Sequence, residues 1–271
     1  MRSHRLNTVA QSLRMRVMGG SLLDWMLNTL GPGREAAARR CFTRVEEDGA
    51  YWEIEIEGVP GKLTVSREVP LHSIQQAFYE QCYAWHWHNY QVSQTTVTAT
   101  DTVFDCGCAE GMFAFLNQDK AGRIVCFEPL PEFQVGLQRT FAGNPKIEIV
   151  GEALGERVQE AYLQRAGMAS AVTYTPTDTK VLINTIDNYC AAKGCDMTYL
   201  KADLEGYELQ VLAGAKETIR RCRPKIAITT YHMASHAREI QTFLQGLVPS
   251  YNFQTKGVEP TAGAPVMLHA W

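Results

Sequence analysis

The feature that most constrains the fold of this chain is a regular alternation of short apolar strands and amphipathic helices, which begins at Thr102. The strand-like runs Thr102–Asp105 and Arg123–Glu128 are each followed by a segment with helical spacing, and the pattern then repeats. Such alternation is typical of parallel strands joined by right-handed helical crossovers, with helices on both faces. We therefore expect a doubly wound, Rossmann-like α/β domain over residues 101–271, with further edge strands at Val158–Leu163 and Ala171–Tyr174.

Residues 1–100 lack this alternation and predict an N-terminal extension made of helices and a β-hairpin. Residues 1–44 have helical character, interrupted by a breaker at Gly31–Gly33. Tyr51–Glu57 alternates apolar and acidic residues at period two, and the segment after the next Pro-Gly turn predicts its hairpin partner. Ser73–Tyr90 predicts an aromatic-rich helix. We expect this extension to act as a cap that contacts substrate or a second copy of the chain.

Charge is distributed unevenly along the chain. Residues 1–45 hold eight arginines and two acids, a balance of +6, so with a net charge of −3 the remainder carries −9. An acidic main body argues against nucleic acid as a partner. The basic arm predicts an amphipathic helical cap with a solvated arginine face, although a membrane-surface contact or a targeting segment would share that composition.

Three sequence patterns that would indicate a membrane, secreted or metal-binding protein are missing from the chain. No run of eighteen apolar residues predicts a transmembrane segment, and Met1–Arg16 lacks the apolar core of a secretory signal. The eight cysteines form no C-x-x-C pair, so a zinc ribbon or thioredoxin-like site is not supported. A reducing, cytoplasmic setting is the expectation.

The first candidate site is a loop between a strand and a helix, with the spacing D-x-G-x-x-x-G at Asp105, Gly107 and Gly111. The glycines let the backbone turn tightly and approach a ligand, and the following helix N-terminus offers unpaired N–H groups. This is neither a Walker loop nor the dinucleotide fingerprint, and taken alone it is equally compatible with a plain tight turn.

Glu128 ends the second strand, 23 residues after Asp105. This is close to the offset of about 20 residues at which an acidic side chain reaches ribose hydroxyls in doubly wound folds. The alternative is a solvated acid at a strand end. Together the loop and the acid predict an adenosine-type ligand at the carboxyl edge of the sheet.

A second charged cluster, Lys201, Asp203 and Glu205, follows a later strand, and His232 follows the next one. Lys201 and Asp203 share a strand face, so they belong either to a site or to a mutual ion pair. His232 could take a proton, bind a metal, or be an ordinary hydrogen-bonded residue.

The sequence resembles the FkbM-type family of class I S-adenosylmethionine (SAM)-dependent methyltransferases. The similarity covers about half of the chain, and no part of the N-terminal extension contributes to it. Cys106 and Cys108 stand where the family commonly has a small aliphatic residue and an alanine, which are also small. The segments that carry the resemblance are Val103–Gly111, Phe127–Phe133 with Leu137, Asn184–Asn188, Leu200–Ala215 and Tyr231–His232.

The resemblance implies a seven-stranded, mostly parallel sheet, SAM as the cofactor and O-methylation of a sugar or natural product. The acceptor would be a small molecule or a glycan. Asp203, Glu205 and His232 would face the methyl group and the acceptor as catalytic residues. The implied cofactor-binding residues are Asp105, Gly107, Ala109, Gly111, Glu128, Pro129 and Asp203.

Two questions about the chemistry stay open at this stage. The acceptor proton could go to His232 or Asp203, or a divalent ion such as Mg²⁺ held by Asp203, Glu205 and His232 could acidify the hydroxyl. The chain could also be a catalytically silent SAM-binding or partner-binding module. A nicotinamide-dependent oxidoreductase is less well supported, because the loop lacks the second close-set glycine.

The aromatic segment Tyr83–Tyr90 precedes the cofactor loop and could form a lid that stacks on a flat ring. Trp85 and Trp87 would face different sides of a helix, so at least one of them is expected in the core.

Overall fold

The computed structural model describes residues 32–166, 170–258 and 265–271. The predicted helical part of the arginine-rich arm that precedes the break at Gly31–Gly33 lies outside these residues. Fourteen strands are described: β1 Phe42–Asp48, β2 Tyr51–Ile56, β3 Val59–Ser66, β4 Thr102–Cys106, β5 Arg123–Phe127, β6 Ile147–Val150, β7 Ala153–Leu154, β8 Gln159–Gln164, β9 Ala171–Thr173, β10 Lys180–Asn184, β11 Tyr199–Ala202, β12 Lys225–Thr229, β13 Phe253–Val258 and β14 Pro265–Ala270. The helices in the same ranges are α1 Pro32–Arg40, α2 Leu71–Cys82, α3 Met112–Asn117, α4 Pro131–Thr140, α5 Ile186–Lys193, α6 Glu208–Ala213, α7 Lys216–Cys222 and α8 His236–Leu247.

The main sheet has seven strands in the order β6-β5-β4-β11-β12-β14-β13. The first five are parallel to one another, whereas β14 pairs antiparallel with both β12 and β13. The predicted doubly wound, mostly parallel seven-stranded sheet is confirmed. Because the order reverses direction at β4, the carboxyl ends of β4, β5 and β11 open onto one crevice, the usual ligand position in such folds.

Two apolar layers cover the faces of this sheet. Side chains alternate along each strand, so Val103 and Ile124 enter one layer and Phe104 and Val125 enter the other. Strands buried on both faces explain why the sequence shows continuous apolar runs here. Helix α5 begins where the Thr185 hydroxyl accepts a hydrogen bond from the Asn188 amide and ends at a left-handed glycine, Gly194 (φ 60°).

The N-terminal extension differs from its prediction at two places. The predicted hairpin is β2 and β3, but a further strand, β1, extends it to three strands. Residues from Phe42 to Asp48 therefore belong to a strand and not to the helix expected up to Arg44, since pairing with β2 places Val45 opposite Ile54. Pro32 begins α1, and the residues before the predicted break lie outside the described ones. Helix α2 ends at Cys82, and the chain to Tyr90 is irregular.

The extension packs directly against the α/β domain. Ile54 and Leu63 share one continuous buried cluster with Phe113 and Leu137. The Thr64 amide donates a hydrogen bond to the Thr140 hydroxyl at 2.8 Å, which joins β3 to α4. The extension and the domain thus share their hydrophobic core.

A second sheet of four strands, in the order β7-β10-β8-β9, lies outside the main one. The two extra edge strands expected from the sequence are β8 and β9, and β7 and β10 complete their sheet. The segment between β11 and β12 forms two short helices, α6 and α7, with an interruption between them. The reason is close packing at Gly214, where a Cβ atom would lie 2.0 Å from the carbonyl oxygen of Gly155. Within the described ranges, no helix is both long and apolar enough to cross a bilayer.

Candidate active site

The loop after β4 has an unusual backbone that requires its glycines. Gly107 and Gly111 have φ angles of 71° and 81°, and Ala109 between them also has a positive φ of 47°. A Cβ atom on Gly107 would lie 2.1 Å from the carbonyl oxygen of Asp203, and one on Gly111 would lie 2.4 Å from a methyl carbon of Leu137. The loop after β4 is therefore held against both the loop after β11 and helix α4.

Asp105 is fully buried beneath this loop and pairs with Lys201. The Lys201 Nζ atom lies 2.9 Å from Asp105 Oδ1 and donates a further hydrogen bond to the Gly107 carbonyl at 2.8 Å. Burial lowers the pKa of Lys201, but the carboxylates of Asp105 and Asp203 outweigh it and raise that pKa overall. Lys201 thus pairs with Asp105 rather than with Asp203. Asp105 therefore stabilises the cofactor loop indirectly, through the Lys201 side chain that bonds the loop backbone.

Glu128 lies at the end of β5, as predicted, and faces the crevice. Its Oε2 atom accepts a hydrogen bond from the Ala109 amide and its Oε1 atom accepts one from the Leu130 amide, both at 2.9 Å. Burial raises the pKa of its carboxyl group to about 7. Each oxygen retains a lone pair for a further donor, such as a ribose hydroxyl.

A cleft, here called the cofactor cleft, lies over these residues. Gly107, Ala109, Glu128 and Pro129, all implied cofactor residues, line it. The second sheet closes the opposite wall with apolar side chains. Those side chains are Leu163, Ala171 and Val172. A polar edge beside apolar walls suits a nucleoside, whose sugar is hydrophilic and whose base is flat.

A larger cavity, here called the outer cavity, adjoins the cofactor cleft. The two share four lining residues, Gly107, Ala109, Asp203 and Glu205. The far wall of the outer cavity is polar and comes largely from the extension. Its side chains include Gln76, Glu80, His88, Tyr90 and Tyr231. A second reactant could therefore enter the outer cavity and meet the first at the shared residues.

Asp203 stands at the junction of the two cavities. Its Oδ2 atom accepts a 2.6 Å hydrogen bond from the Tyr90 hydroxyl, and its Oδ1 atom accepts one from Thr229 at 3.1 Å. Burial raises the pKa of this carboxyl group, but the interactions with His88 and with the Lys201 ammonium group and the Tyr90 hydrogen bond lower it overall. Asp203 is therefore ionised at neutral pH.

The structure brings His232 together with the two predicted acids. Its Nε2 atom lies 3.7 Å from Asp203 Oδ1 and 3.6 Å from Glu205 Oε2. On the other side of the ring, Nδ1 lies 3.0 Å from Oε1 of Glu208. Burial lowers the pKa of His232, but the hydrogen bond to Glu208 and the three surrounding carboxylates raise it overall.

Two acids that the sequence reasoning did not single out belong to this region. Glu208 is fully buried and contacts both His232 and His236. In the sequence it has the appearance of an ordinary acid in the first turn of a helix, so only the neighbouring histidines could have indicated it. Glu110 lines the outer cavity, and burial raises its pKa to about 7. The feature of the sequence that could have indicated Glu110 is its position as a charged residue inside a glycine-rich loop.

By ligand type, this cluster could also hold a metal ion. Asp203, Glu208 and His232 each offer a ligand atom, and these atoms lie within 4.8 Å of one another. This set contains Glu208 where Glu205 was expected. However, Glu208 Oε1 already accepts hydrogen bonds from the Leu204 amide at 3.0 Å and the Thr229 hydroxyl at 3.2 Å. These hydrogen bonds favour a structural role for the Glu208 carboxylate over metal binding.

The predicted aromatic lid divides into two parts. His88 and Tyr90 line the outer cavity, as a lid would. Trp85 stacks on Tyr83 with ring centroids 5.0 Å apart, and the Cβ of Trp87 packs closely against Gly257. These two tryptophans therefore hold the segment in place.

The strand order, the antiparallel β14 and a glycine loop after the first strand of the main sheet define the fold of a class I SAM-dependent methyltransferase. Residues 105–254, more than half of the chain, match the model of the methyltransferase FkbM domain. The protein belongs to this family.

Among solved structures, the chain is similar to a methyltransferase FkbM from Methylobacillus flagellatus, with 20% identity and a TM-score of 0.51 over 74% of this chain. That alignment spans only 53% of the Methylobacillus chain. A fibrillarin from Aeropyrum pernix with bound S-adenosyl-L-methionine aligns over 84% of this chain and 97% of its own, at 14% identity and a TM-score of 0.43. A likeness at that score carries no argument for this chain. No curated protein matches the sequence significantly.

Proposed function

We propose that the protein transfers the methyl group of SAM to a hydroxyl group of a neutral small-molecule or glycan acceptor, giving S-adenosylhomocysteine (SAH). The observation that carries this proposal is the junction of the cofactor cleft with the outer cavity at Asp203 and Glu205. Methyl transfer needs the donor carbon and the acceptor oxygen in line, so two cavities that meet at one point suit it.

SAM would lie along the cofactor cleft. Its adenine would lie between the apolar walls, and Glu128 would accept hydrogen bonds from its ribose hydroxyls. The loop from Gly107 to Gly111 would hold the methionine part. The sulfonium, which is positively charged, would then lie close to the ionised carboxylate of Asp203.

The charges around the outer cavity point to the class of acceptor. Glu80, Glu110, Asp203 and Glu205 line it, and the cation Lys201 is already paired with Asp105. An anionic acceptor such as a sugar phosphate or a nucleic acid would be repelled there. Hydroxyl groups, in contrast, would find many hydrogen-bond acceptors, so we infer a neutral, hydroxylated acceptor.

Deprotonation of the acceptor hydroxyl would be the protein's own chemical task. His232 is the stronger base of the two candidates, because its pKa is raised whereas that of Asp203 is lowered. Should the enzyme use a divalent ion, Asp203, Glu208 and His232 would offer the ligand atoms, and the ion would acidify the hydroxyl. Bound SAM would supply the methyl group to the acceptor oxygen, and its sulfur would leave with the bonding electrons.

Calorimetry with SAM, SAH and NADH tests the first half of the proposal. We expect SAM and SAH to bind and NADH to give no heat. Binding of NADH alone would instead identify an oxidoreductase.

The second half is tested by measuring SAH release with neutral glycosides and with the corresponding sugar phosphates. Turnover of neutral acceptors only is the expected result. SAM binding without product for any acceptor would favour the silent module, and turnover abolished by EDTA and restored by Mg²⁺ would establish the metal route.

A further inference from the structure

Lys256 is a buried charged residue on β13, the strand at the opposite end of the main sheet from β6. Its Nζ atom donates hydrogen bonds to three backbone carbonyls, those of Ala84 at 2.7 Å, Asn89 at 3.3 Å and Gln91 at 3.4 Å. A protonated amine has three N–H donors, which matches the number of these carbonyls. Burial of a charge is costly unless such partners compensate it. The ammonium group is thus a fixed link between β13 and a part of the chain that precedes it by at least 165 positions.

The three carbonyls belong to residues 83–91, which are the aromatic segment and Gln91 directly after it. These residues follow α2 and form neither a helix nor a strand, so their backbone oxygens lack the partners that regular structure supplies. Lys256 is such a partner for three of them. The next residue, Gly257, adds a second contact, because a Cβ atom there would lie 2.6 Å from the Cβ atom of Trp87. Residues 83–91 therefore pack directly against β13.

Two side chains of the same segment reach the outer cavity. His88 and Tyr90 both line it, and the Tyr90 hydroxyl donates its 2.6 Å hydrogen bond to Asp203. Asn89, whose carbonyl oxygen binds Lys256, stands between the two in the chain. The backbone that Lys256 holds therefore determines where these two side chains meet the cavity.

The cofactor cleft is built from other parts of the chain. In the described ranges, its lining residues all lie between Gly107 and Tyr207, so neither residues 83–91 nor β13 contributes to it. The outer cavity, in contrast, is lined both by the aromatic segment and by Val266 of β14, the strand that pairs with β13. A change at Lys256 should consequently alter the wall of the outer cavity and leave the walls of the cofactor cleft in place.

We propose that Lys256 is a positioning residue for the acceptor, because its hydrogen bonds to residues 83–91 hold His88 and Tyr90 at the wall of the outer cavity. The inference rests on the proposed function, and it adds to it a residue that lines neither cavity. Methyl transfer depends on the alignment of the acceptor with the methyl group, so a displaced wall would weaken acceptor binding and slow the transfer.

The first measurement is proton NMR of the Tyr90 hydroxyl in the full chain saturated with SAH. A hydroxyl proton in a 2.6 Å hydrogen bond to a carboxylate is expected downfield and in slow exchange with water, and Tyr90→Phe identifies its signal. Lys256→Met removes the ammonium group and keeps an apolar side chain, and we expect it to abolish or shift this signal. Ile219→Ala lowers stability by opening a cavity elsewhere in the core, so it controls for a purely structural loss and should leave the signal unchanged.

The second measurement compares the KM for a neutral glycoside that the wild type methylates with the Kd for SAH. Lys256→Met should raise this KM about tenfold or more and leave the Kd within about twofold of the wild-type value. Lys256→Gln retains N–H donors on a shorter side chain and should give an intermediate KM. Lys146→Met is the matched control, because the Lys146 ammonium group binds a backbone carbonyl, that of Ala121, away from both cavities, and it should change neither constant.

A Tyr90 signal that is missing from the wild type or unchanged in Lys256→Met would overturn the proposal, as would a lost signal with an unchanged KM. If Lys256→Met does not fold, Lys256→Gln and Gly257→Ala give the same two readouts, since the added Cβ of Gly257→Ala displaces Trp87 from β13. A wild type that binds no SAH, or that methylates no acceptor, would instead contradict the proposed function. The NMR comparison would then still decide whether Lys256 positions Tyr90, so the two failures are distinguishable.

Discussion

The hydroxyl of Tyr90 donates a 2.6 Å hydrogen bond to Asp203, and this contact joins the N-terminal extension to the centre of the candidate active site. The Lys201 ammonium group lies 5.0 Å from the centroid of the Tyr90 ring. The phenol therefore connects an anion and a cation of the α/β domain. The extension contributes a residue to the site itself as well as part of the shared core.

Tyr90→Phe tests the contribution of that hydroxyl. Hydrogen bonds to charged groups contribute about 1.5–3 kcal/mol, so we expect the free energy of unfolding to fall by that order and the pKa of Asp203 to rise. Denaturant unfolding, followed at neutral pH, measures the change. Tyr51→Phe, whose ring packs on the Arg139 guanidinium, is the control and should lose much less.

Gly107→Ala should weaken cofactor binding. The added Cβ would meet the carbonyl oxygen of Asp203 at 2.1 Å in a left-handed backbone, so the loop after β4 or the one after β11 must move. Calorimetry with SAH should show at least a tenfold weaker affinity. Gly246→Ala makes the same change in α8, where the Cβ meets no atom within 4 Å, and should leave the affinity unchanged. Equal affinities for the two variants would contradict our placement of the loop.

The affinity for SAH should rise with pH through neutrality. Glu128 has a pKa of about 7 because it is buried, and ribose hydroxyls bind its ionised form better than its protonated form. Titrations between pH 6 and 8 measure the trend. Glu128→Gln should remove the pH dependence and weaken binding, whereas the exposed Glu156→Gln should retain it. A wild-type affinity that is flat over this range would speak against Glu128 as the ribose ligand.

Glu110 should make the ligand-free protein less stable as pH rises. A carboxyl group whose folded pKa is raised to about 7 binds more protons when folded than when unfolded. Its effect is therefore absent below the unfolded pKa of about 4.5 and destabilises progressively as pH rises toward 7. Glu110→Gln should raise the melting temperature at pH 8 and change it little at pH 5. Thermal melts at both pH values are the measurement, and an equal change at both would contradict the assignment.

Lys201→Met should be among the most destabilising single changes in the domain. It leaves the carboxylate of Asp105 buried without its cation, which typically costs about 3–5 kcal/mol. The double variant with Asp105→Asn should recover part of that loss. Lys193→Met removes the exposed ion pair with Glu148 and should cost less than about 1 kcal/mol. Denaturant titrations of the four proteins measure all of these differences.

The main sheet could be predicted well because its parallel strands are visible as short apolar runs in the sequence. Strands such as β4 and β5 are buried on both faces and are therefore continuously apolar, and the residues at their carboxyl ends meet in space whatever lies between them. This is why Asp203, Glu205 and His232 could be grouped before their distances were known. Their predicted roles as cofactor-binding, catalytic or metal-binding residues remain predictions.

What the sequence concealed depends on contacts between distant segments. Phe42–Arg44 continues a helical pattern, and only pairing with β2 makes it a strand. Gly214 ends α6 because the backbone at Gly155 approaches it, which no local pattern records. Glu208 gains its importance from two histidines that follow it by 24 and 28 positions, and its own neighbourhood in the sequence is that of an ordinary helix start.

The close approach of β3 to α4 limits which N-terminal extensions could replace the present one in an engineered protein. Gly136 lies within α4, and a Cβ atom there would be 2.7 Å from the carbonyl oxygen of Thr64. Glycine in a helix interior lowers stability by about 1 kcal/mol relative to alanine. Here that cost is offset because the missing Cβ lets β3 pack directly against α4. A chimeric protein that joins a different N-terminal extension to this α/β domain must therefore keep glycine at position 136. A donor extension whose third strand lies farther out would leave a void there instead.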